Sequence, residues 1–147
     1  MSKPFALQTV LELMQRRTDD ATLQLARLIA AEQDAKAKLD LLSQYRQEYA
    51  QRFQTTAQTG MSPLQWKNFQ DFLARLDEAI AQQQQLVLQS QNRTVAGQAH
   101  WKAQRIRLQA IDTLSVRHAK AEAVKEGRRE QKVVDEYAAR RKLADDD

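Results

Sequence analysis

The chain has 147 residues, the length of a single domain, and its composition excludes several classes of protein. It contains three glycines, two prolines and no cysteine, so residues that interrupt helices are scarce, and disulfides and thiolate metal sites are excluded. The formal net charge is +4, and no apolar run approaches the length of a signal peptide or a membrane span, so we expect a cytoplasmic protein without membrane insertion.

The first predicted element is a long helix over about residues 5–55. The series of residues seven apart that begins at Leu7 is apolar throughout, and the series that begins at Leu11 is large and apolar at four of its seven positions. Spacings that alternate between four and three define a coiled-coil seam, with the Leu11 series at a and the Leu7 series at d. We expect the polar a residues Glu32 and Arg46 to lower stability and to fix the register.

A loop is predicted over about residues 56–62. Gly60 can adopt the positive φ that a turn requires. The residues that follow it are typical of a helix start, with Ser62 as N-cap, Pro63 at the first helical position and Gln65 closing a capping box.

A second helix is predicted over about residues 63–142. The series seven apart from Trp66 is apolar at nearly every position, and the series from Phe69 is apolar at its ends and small or polar in its middle. Because a short loop between long helices makes them antiparallel, residues beyond about 112 have no partner within the chain. The sequence therefore predicts an all-α fold: one domain over residues 1–147, formed by a long antiparallel two-helix coiled-coil hairpin with a C-terminal helical overhang.

One side of this hairpin is predicted to be apolar. Tyr45 and Phe72 both fall at heptad position g, and the register places them opposite each other. The predicted patch comprises Leu42, Tyr45, Tyr49, Phe72, Leu76 and Ala79. An exposed apolar patch typically marks a protein-binding site, although these rings also fit the simpler interpretation that they only widen the core.

The overhang is the second candidate surface. Between residues 100 and 142 there are twelve Lys and Arg against six Asp and Glu, a local charge of about +6. Such a stretch is either a solvated helix face or a binding surface. Acidic residues interrupt it and no DNA-binding motif accompanies it, so we expect no nucleic acid partner.

No catalytic constellation is visible in the sequence. His100 and His118 have no partner at metal-ligand spacing, and the single glycines do not form a phosphate-binding loop. A two-helix hairpin also lacks the concave pocket that an active site needs. We therefore expect a protein that is not an enzyme and that has no cofactor.

Four stretches resemble one known family. They are LLSQYRQEYAQRF (41–53), GMSPLQWKNFQDFLARLDEAI (60–80), WKAQRIRLQAIDTL (101–114) and EGRREQKVVDEYAARR (126–141). Together they resemble the FliJ family of the bacterial flagellar export apparatus, along the whole chain. The resemblance implies a role in flagellum biogenesis and motility, at the cytoplasmic side of the inner membrane at the flagellar base.

The resemblance also implies partners and sites. Proteins of this family are similar to the central stalk of rotary ATPases, associate with the hexameric export ATPase FliI and the export gate FlhA, and escort export chaperones. Its gate-binding cluster falls on the apolar patch defined above, with departures from the family pattern at Lys38 and Gln83. The stalk likeness implies that helix ends enter the ATPase ring, where we expect the basic residues Arg117, Lys125, Arg128, Arg129, Lys132, Arg140 and Arg141 to make contact.

Two alternatives share the same pattern. A stalk protein of a virulence-type secretion system has the same hairpin. A structural coiled coil that binds a second copy of itself, with the patch closing a four-helix bundle, also fits.

Overall fold

The computed structural model describes residues 3–146, which form two α-helices and no strand. Helix α1 spans Gln8–Thr59, and helix α2 spans Pro63–Asp146. Both helices end about four residues later than the sequence predicted, because Thr56–Thr59 and the last residues of α2 include neither Gly nor Pro. The predicted all-α antiparallel hairpin with a helical C-terminal extension is confirmed.

The connection between the helices contains Gly60, Met61 and Ser62. Gly60 adopts a φ of 108°, which a residue with a Cβ rarely adopts. The predicted capping box is present, since the Gln65 backbone N–H donates to Ser62 Oγ at 3.2 Å and the Ser62 N–H donates to Gln65 Oε1 at 3.1 Å. These two bonds satisfy backbone donors at the start of α2.

The buried side chains follow the predicted heptads. From Leu11 to Thr56, every residue of α1 at a or d is buried or half-buried, so that the spacing between them alternates between three and four residues without a break. Most of the residues between them are exposed. The apolar residues with the lowest exposure include Leu11, Ala21, Leu76 and Val87. The core is therefore a narrow seam between two helices.

Contacts divide the chain into two units. Unit 1 joins the N-terminal residues up to Asp20 with those from Lys102 onward, and unit 2 is Ala21–Trp101. In each unit a stretch of α1 packs against a stretch of α2. The aromatic residues of the seam and the connection both belong to unit 2.

In unit 1 the pairing extends further along α2 than the sequence predicted. The Lys3 backbone N–H donates to Glu122 Oε2 at 3.2 Å, His118 Nε2 donates to the Lys3 carbonyl at 2.9 Å, and the Phe5 ring lies 5.5 Å from the His118 ring. The expectation that residues beyond about 112 have no partner is therefore wrong as far as Glu122.

Two features explain this difference. The chain before α1 continues alongside α2 without being helical. The seam of α2 also continues through Ser115, His118 and Glu122, whose polar character conceals the heptad pattern. All described residues from Gly127 to Asp146 are exposed, so the exposed tail is shorter than predicted.

Candidate protein-binding flank

Aromatic rings meet across the seam of unit 2 near the connection. The Tyr45 and Phe72 centroids lie 6.3 Å apart in an edge-on arrangement, and the Tyr49 ring lies 4.5 Å from Phe72 and 5.1 Å from Phe69. Phe53 lies 5.4 Å from Phe69. Edge-on and tilted contacts at these distances are the favourable geometries for aromatic pairs. The predicted meeting of Tyr45 and Phe72 is therefore present.

The six residues of the predicted patch differ in their accessibility. Tyr45 is 47% exposed, whereas Leu76 is only 7% exposed and belongs to the seam itself. The other four residues, Leu42, Tyr49, Phe72 and Ala79, are half-buried. A partner at this patch would therefore contact Tyr45 most fully, with Phe72 holding the ring from one side and Leu76 supporting the patch from within.

An ion pair joins the helices near this cluster. Arg46 donates to Asp77 through Nε to Oδ1 and through Nη2 to Oδ2, the latter at 3.4 Å. This two-pronged hydrogen bond lowers the pKa of Asp77 and raises the pKa of Arg46. The polar a residue Arg46 thus has a partner on the facing helix.

The two positions that depart from the family pattern have different surroundings. Gln83 is half-buried, and its Nε2 donates to the Ala35 carbonyl at 3.0 Å. Lys38 is exposed. Gln83 is therefore already bonded within unit 2, whereas Lys38 faces solvent beside the patch.

The two sides of the α2 seam differ in chemistry within unit 2. Position g, on the side of Tyr45, carries Phe72, Ala79, Leu86, Arg93 and His100, and we call this side the apolar flank. Position e, on the other side, carries Gln70, Asp77, Gln84, Gln91 and Gln98, and we call this side the polar flank. Exposed apolar side chains that follow one another along one side of a helix typically mark a protein-binding site.

Leu86, a residue of the apolar flank, is absent from the patch predicted from sequence. It is 50% exposed and lies two heptads beyond Phe72. Stepping by seven from Phe72 would have found it. The apolar flank therefore continues past Ala79, the last residue of the predicted patch.

The seven basic residues predicted for the ATPase ring are all exposed on α2. Lys125 Nζ lies 3.7 Å from Glu122 Oε1, and Arg129 Nη1 lies 3.5 Å from Glu126 Oε2. Both pairs join residues three apart on α2, and both basic side chains are more than half exposed, although Glu122 itself is buried. The exposed pair of Arg129 with Glu126 contributes little to stability. The guanidinium and ammonium groups consequently remain accessible to solvent.

Residues 3–146 contain no group of three or more His, Asp or Glu placed to hold a metal ion. Neither α1 nor α2, as far as they are described, has a stretch apolar enough to cross a bilayer.

These features define a class: an α-helical hairpin protein with a narrow seam, one apolar flank and an exposed C-terminal end of α2. Comparison with known proteins gives the family. The family described as "Flagellar FliJ protein" matches residues 2–144. The flagellar FliJ proteins of Salmonella typhi and of Escherichia coli (strain K12) are each 31% identical to the chain over 140 residues, which cover 95% of both sequences. The chain belongs to the flagellar FliJ family.

Proposed function

We propose that the chain is a non-catalytic component of the flagellar export apparatus. It binds the export gate FlhA through the apolar patch and the hexameric ATPase FliI through the seven exposed basic residues of α2 named above, and it accompanies export chaperones. Family membership supports the export role. Since its relatives are named as flagellar proteins, the flagellar role is favoured over that of a virulence-type stalk.

The observation that carries the gate assignment is the pairing of Tyr45 with Phe72. The Tyr45 ring has nearly half of its surface in solvent and makes an edge-on contact with the Phe72 ring across the seam. A large aromatic side chain that is already positioned loses little conformational entropy on binding, which is why such residues dominate protein interfaces. The Tyr45 hydroxyl adds a hydrogen-bonding group at the edge of the patch.

The gate assignment is tested with the double substitution Tyr45→Ala and Phe72→Ala. We expect at least tenfold weaker binding to the cytoplasmic linker region of FlhA, with helicity by circular dichroism retained. Leu88→Ala is the matched control, since Leu88 is also an apolar residue, 50% exposed, but lies at position b away from the apolar flank. Equal binding by the double variant and the control would reject the gate assignment.

The ATPase assignment is tested by charge reversal in the full chain. Arg140→Glu with Arg141→Glu changes two exposed residues beyond the paired part of α2, so the hairpin should fold unchanged. We expect the stimulation of FliI turnover to fall several-fold. Undiminished stimulation at substoichiometric protein would reject a role for this end of α2.

Self-association is the second candidate, because the exposed apolar flank could also pack against a second copy. A sedimentation mass near twice 16.9 kDa at micromolar concentration, lost in the Tyr45/Phe72 variant, would favour it.

A further inference from the structure

An open groove lies beside Gly97 in unit 2, on the apolar flank. Its volume is about 590 Å³. The floor is formed by Leu28, Ala31, Ala96 and Gly97, and cationic or titratable side chains border it, namely Arg27, Arg93 and His100. None of the residues that line it is acidic.

The groove exists because the helices carry small residues at this level. Gly97 occupies a d position, and a Cβ built on it would lie 2.5 Å from Leu28 Cδ1. The Leu28 side chain thus packs into the space that a larger residue would fill. The alanines at 31 and 96 add only a methyl group each to the groove. A glycine in the middle of a helix costs about 1 kcal/mol relative to alanine, so this close approach is obtained at some loss of helix stability.

The groove has the shape that receives a helix. It lies between two antiparallel helices, where the side-chain ridge of a third helix can interdigitate. Small residues on its floor allow the third backbone to come close. Its walls run from residue 93 to 100 on α2 and from about 24 to 31 on α1, each about two helical turns, so a ridge of two to three turns fills it.

We propose that this groove is a docking site for an acidic amphipathic helix of a second protein. The helix would place Ala or Leu side chains on the floor and carboxylates against Arg27 and Arg93. Charge complementarity selects the acidic helix, because the rim carries two guanidinium groups and no carboxylate.

Nucleic acid fits the groove poorly, since the floor is aliphatic and has no aromatic ring for base stacking. The proposal also goes beyond gate binding, because none of the lining residues belongs to the Tyr45/Phe72 patch. The groove proposal can therefore be rejected without affecting the gate assignment, and the reverse is also true.

The test measures binding of two synthetic 21-residue helices by fluorescence anisotropy. Both carry the same Ala/Leu ridge, which is flanked by Glu in one peptide and by Lys in the other. We expect the acidic helix to bind the full-length chain at least ten times more tightly than the basic one. Equal affinities, or no binding of the acidic helix, would overturn the proposal.

Two variants and one control localise the binding. Arg27→Glu with Arg93→Glu should weaken the binding of the acidic helix at least tenfold. The control, Lys67→Glu with Lys102→Glu, makes the same charge change at exposed b positions of α2 and should leave binding unchanged. Ala96→Trp fills the groove at an exposed position without removing a charge and should also abolish binding.

The Tyr45→Ala, Phe72→Ala variant should bind the acidic helix normally, which separates this site from the gate patch. If reversal of the rim arginines and reversal of the control lysines weaken binding equally, the attraction is to overall charge and the groove is not the site. Circular dichroism of every variant establishes that the hairpin has folded.

Discussion

Two stretches of unit 2 share one backbone geometry and differ in the size of their side chains. Near the connection, the rings of Phe53, Phe69 and Trp66 make tilted and edge-on contacts across the seam, with the Phe53 and Trp66 centroids 4.8 Å apart. Near Gly97 the α2 side of the seam carries the small residues Ser90, Thr94 and Gly97. The Thr94 hydroxyl donates to the Ser90 carbonyl at 3.0 Å, and the Leu28 carbonyl lies 3.4 Å from the same hydroxyl. In the first stretch, aromatic rings extend onto the apolar flank as the Tyr45/Phe72 patch. In the second stretch, the small residues leave the groove beside Gly97. The volume of the side chains in the seam and beside it therefore shapes the surface that each stretch presents to a partner.

The largest effect is expected from Phe69→Ala, which removes the ring between Tyr49 and Phe53. Truncating a buried phenylalanine costs about 3–5 kcal/mol, and because Phe69 is half-buried we expect a loss of about 2–3 kcal/mol in the free energy of unfolding. Urea denaturation followed by circular dichroism measures it. Leu88→Ala, at an exposed position, should stay within about 0.5 kcal/mol. Similar losses in the two variants would mean that the aromatic stretch is not the stable part of the seam.

A gain in stability is expected from Gln104→Leu. Gln104 is buried at a d position in unit 1, and its Oε1 has no hydrogen-bond partner among residues 3–146. A buried polar atom without a partner costs about 1–3 kcal/mol, so replacing it with an apolar group should raise the unfolding free energy by about 1–2 kcal/mol. The Thr18 hydroxyl contacts the backbone carbonyl of Gln104 and is unaffected. A lower melting temperature for this variant would contradict the interpretation.

A smaller effect tests the contact at Gly97. Gly97→Ala gains helix propensity but forces Leu28 Cδ1 to move. In a Leu28→Ala background that obstruction is gone, so we expect Gly97→Ala to be more favourable there by about 1 kcal/mol. A double-mutant cycle by urea denaturation measures this coupling. Zero coupling would show that Leu28 moves aside freely and that the groove is not set by this pair.

The smallest effect concerns Glu122, a polar residue that is only 6% exposed. The hydrogen bond from the Lys3 backbone lowers its pKa, with further contributions from nearby positive side chains. A lowered pKa in the folded state means that Glu122 stabilises the fold above the ordinary glutamate pKa, and that this contribution disappears as the pH falls through the folded-state value.

Melting temperatures of the wild type and of Glu122→Gln, recorded between pH 7 and pH 3, measure that contribution. The difference between the two proteins should be largest at neutral pH and should shrink in acid. Glu130→Gln, on the exposed end of α2, is the control. A constant difference across the pH range would mean that the charge of Glu122 is not what holds Lys3.

Much of the fold was predictable because its determinants are local or periodic. The heptad spacing on α1 and the capping box at Ser62 can be predicted from residue type alone. Together they predict that Tyr45 and Phe72 lie opposite each other across the seam, as they do. The contact of Phe5 with His118 was not predictable, because a polar residue at a seam position interrupts the apolar period and the chain before α1 has no helical pattern. The groove also escaped prediction, since a small residue in a heptad series does not reveal whether a neighbour fills the space.

The positions of the two tryptophans make the molecule its own spectroscopic reporter. Trp66 lies at the start of α2 against Phe53, and Trp101, the last residue of unit 2, donates from Nε1 to Thr22 Oγ1 at 2.9 Å. Replacing either one with phenylalanine leaves a single indole whose emission wavelength reports the polarity at one end of unit 2. Thermal unfolding of each single-tryptophan variant, followed by its fluorescence, would then show whether the aromatic stretch and the stretch near Gly97 unfold together or in sequence. No attached dye is needed.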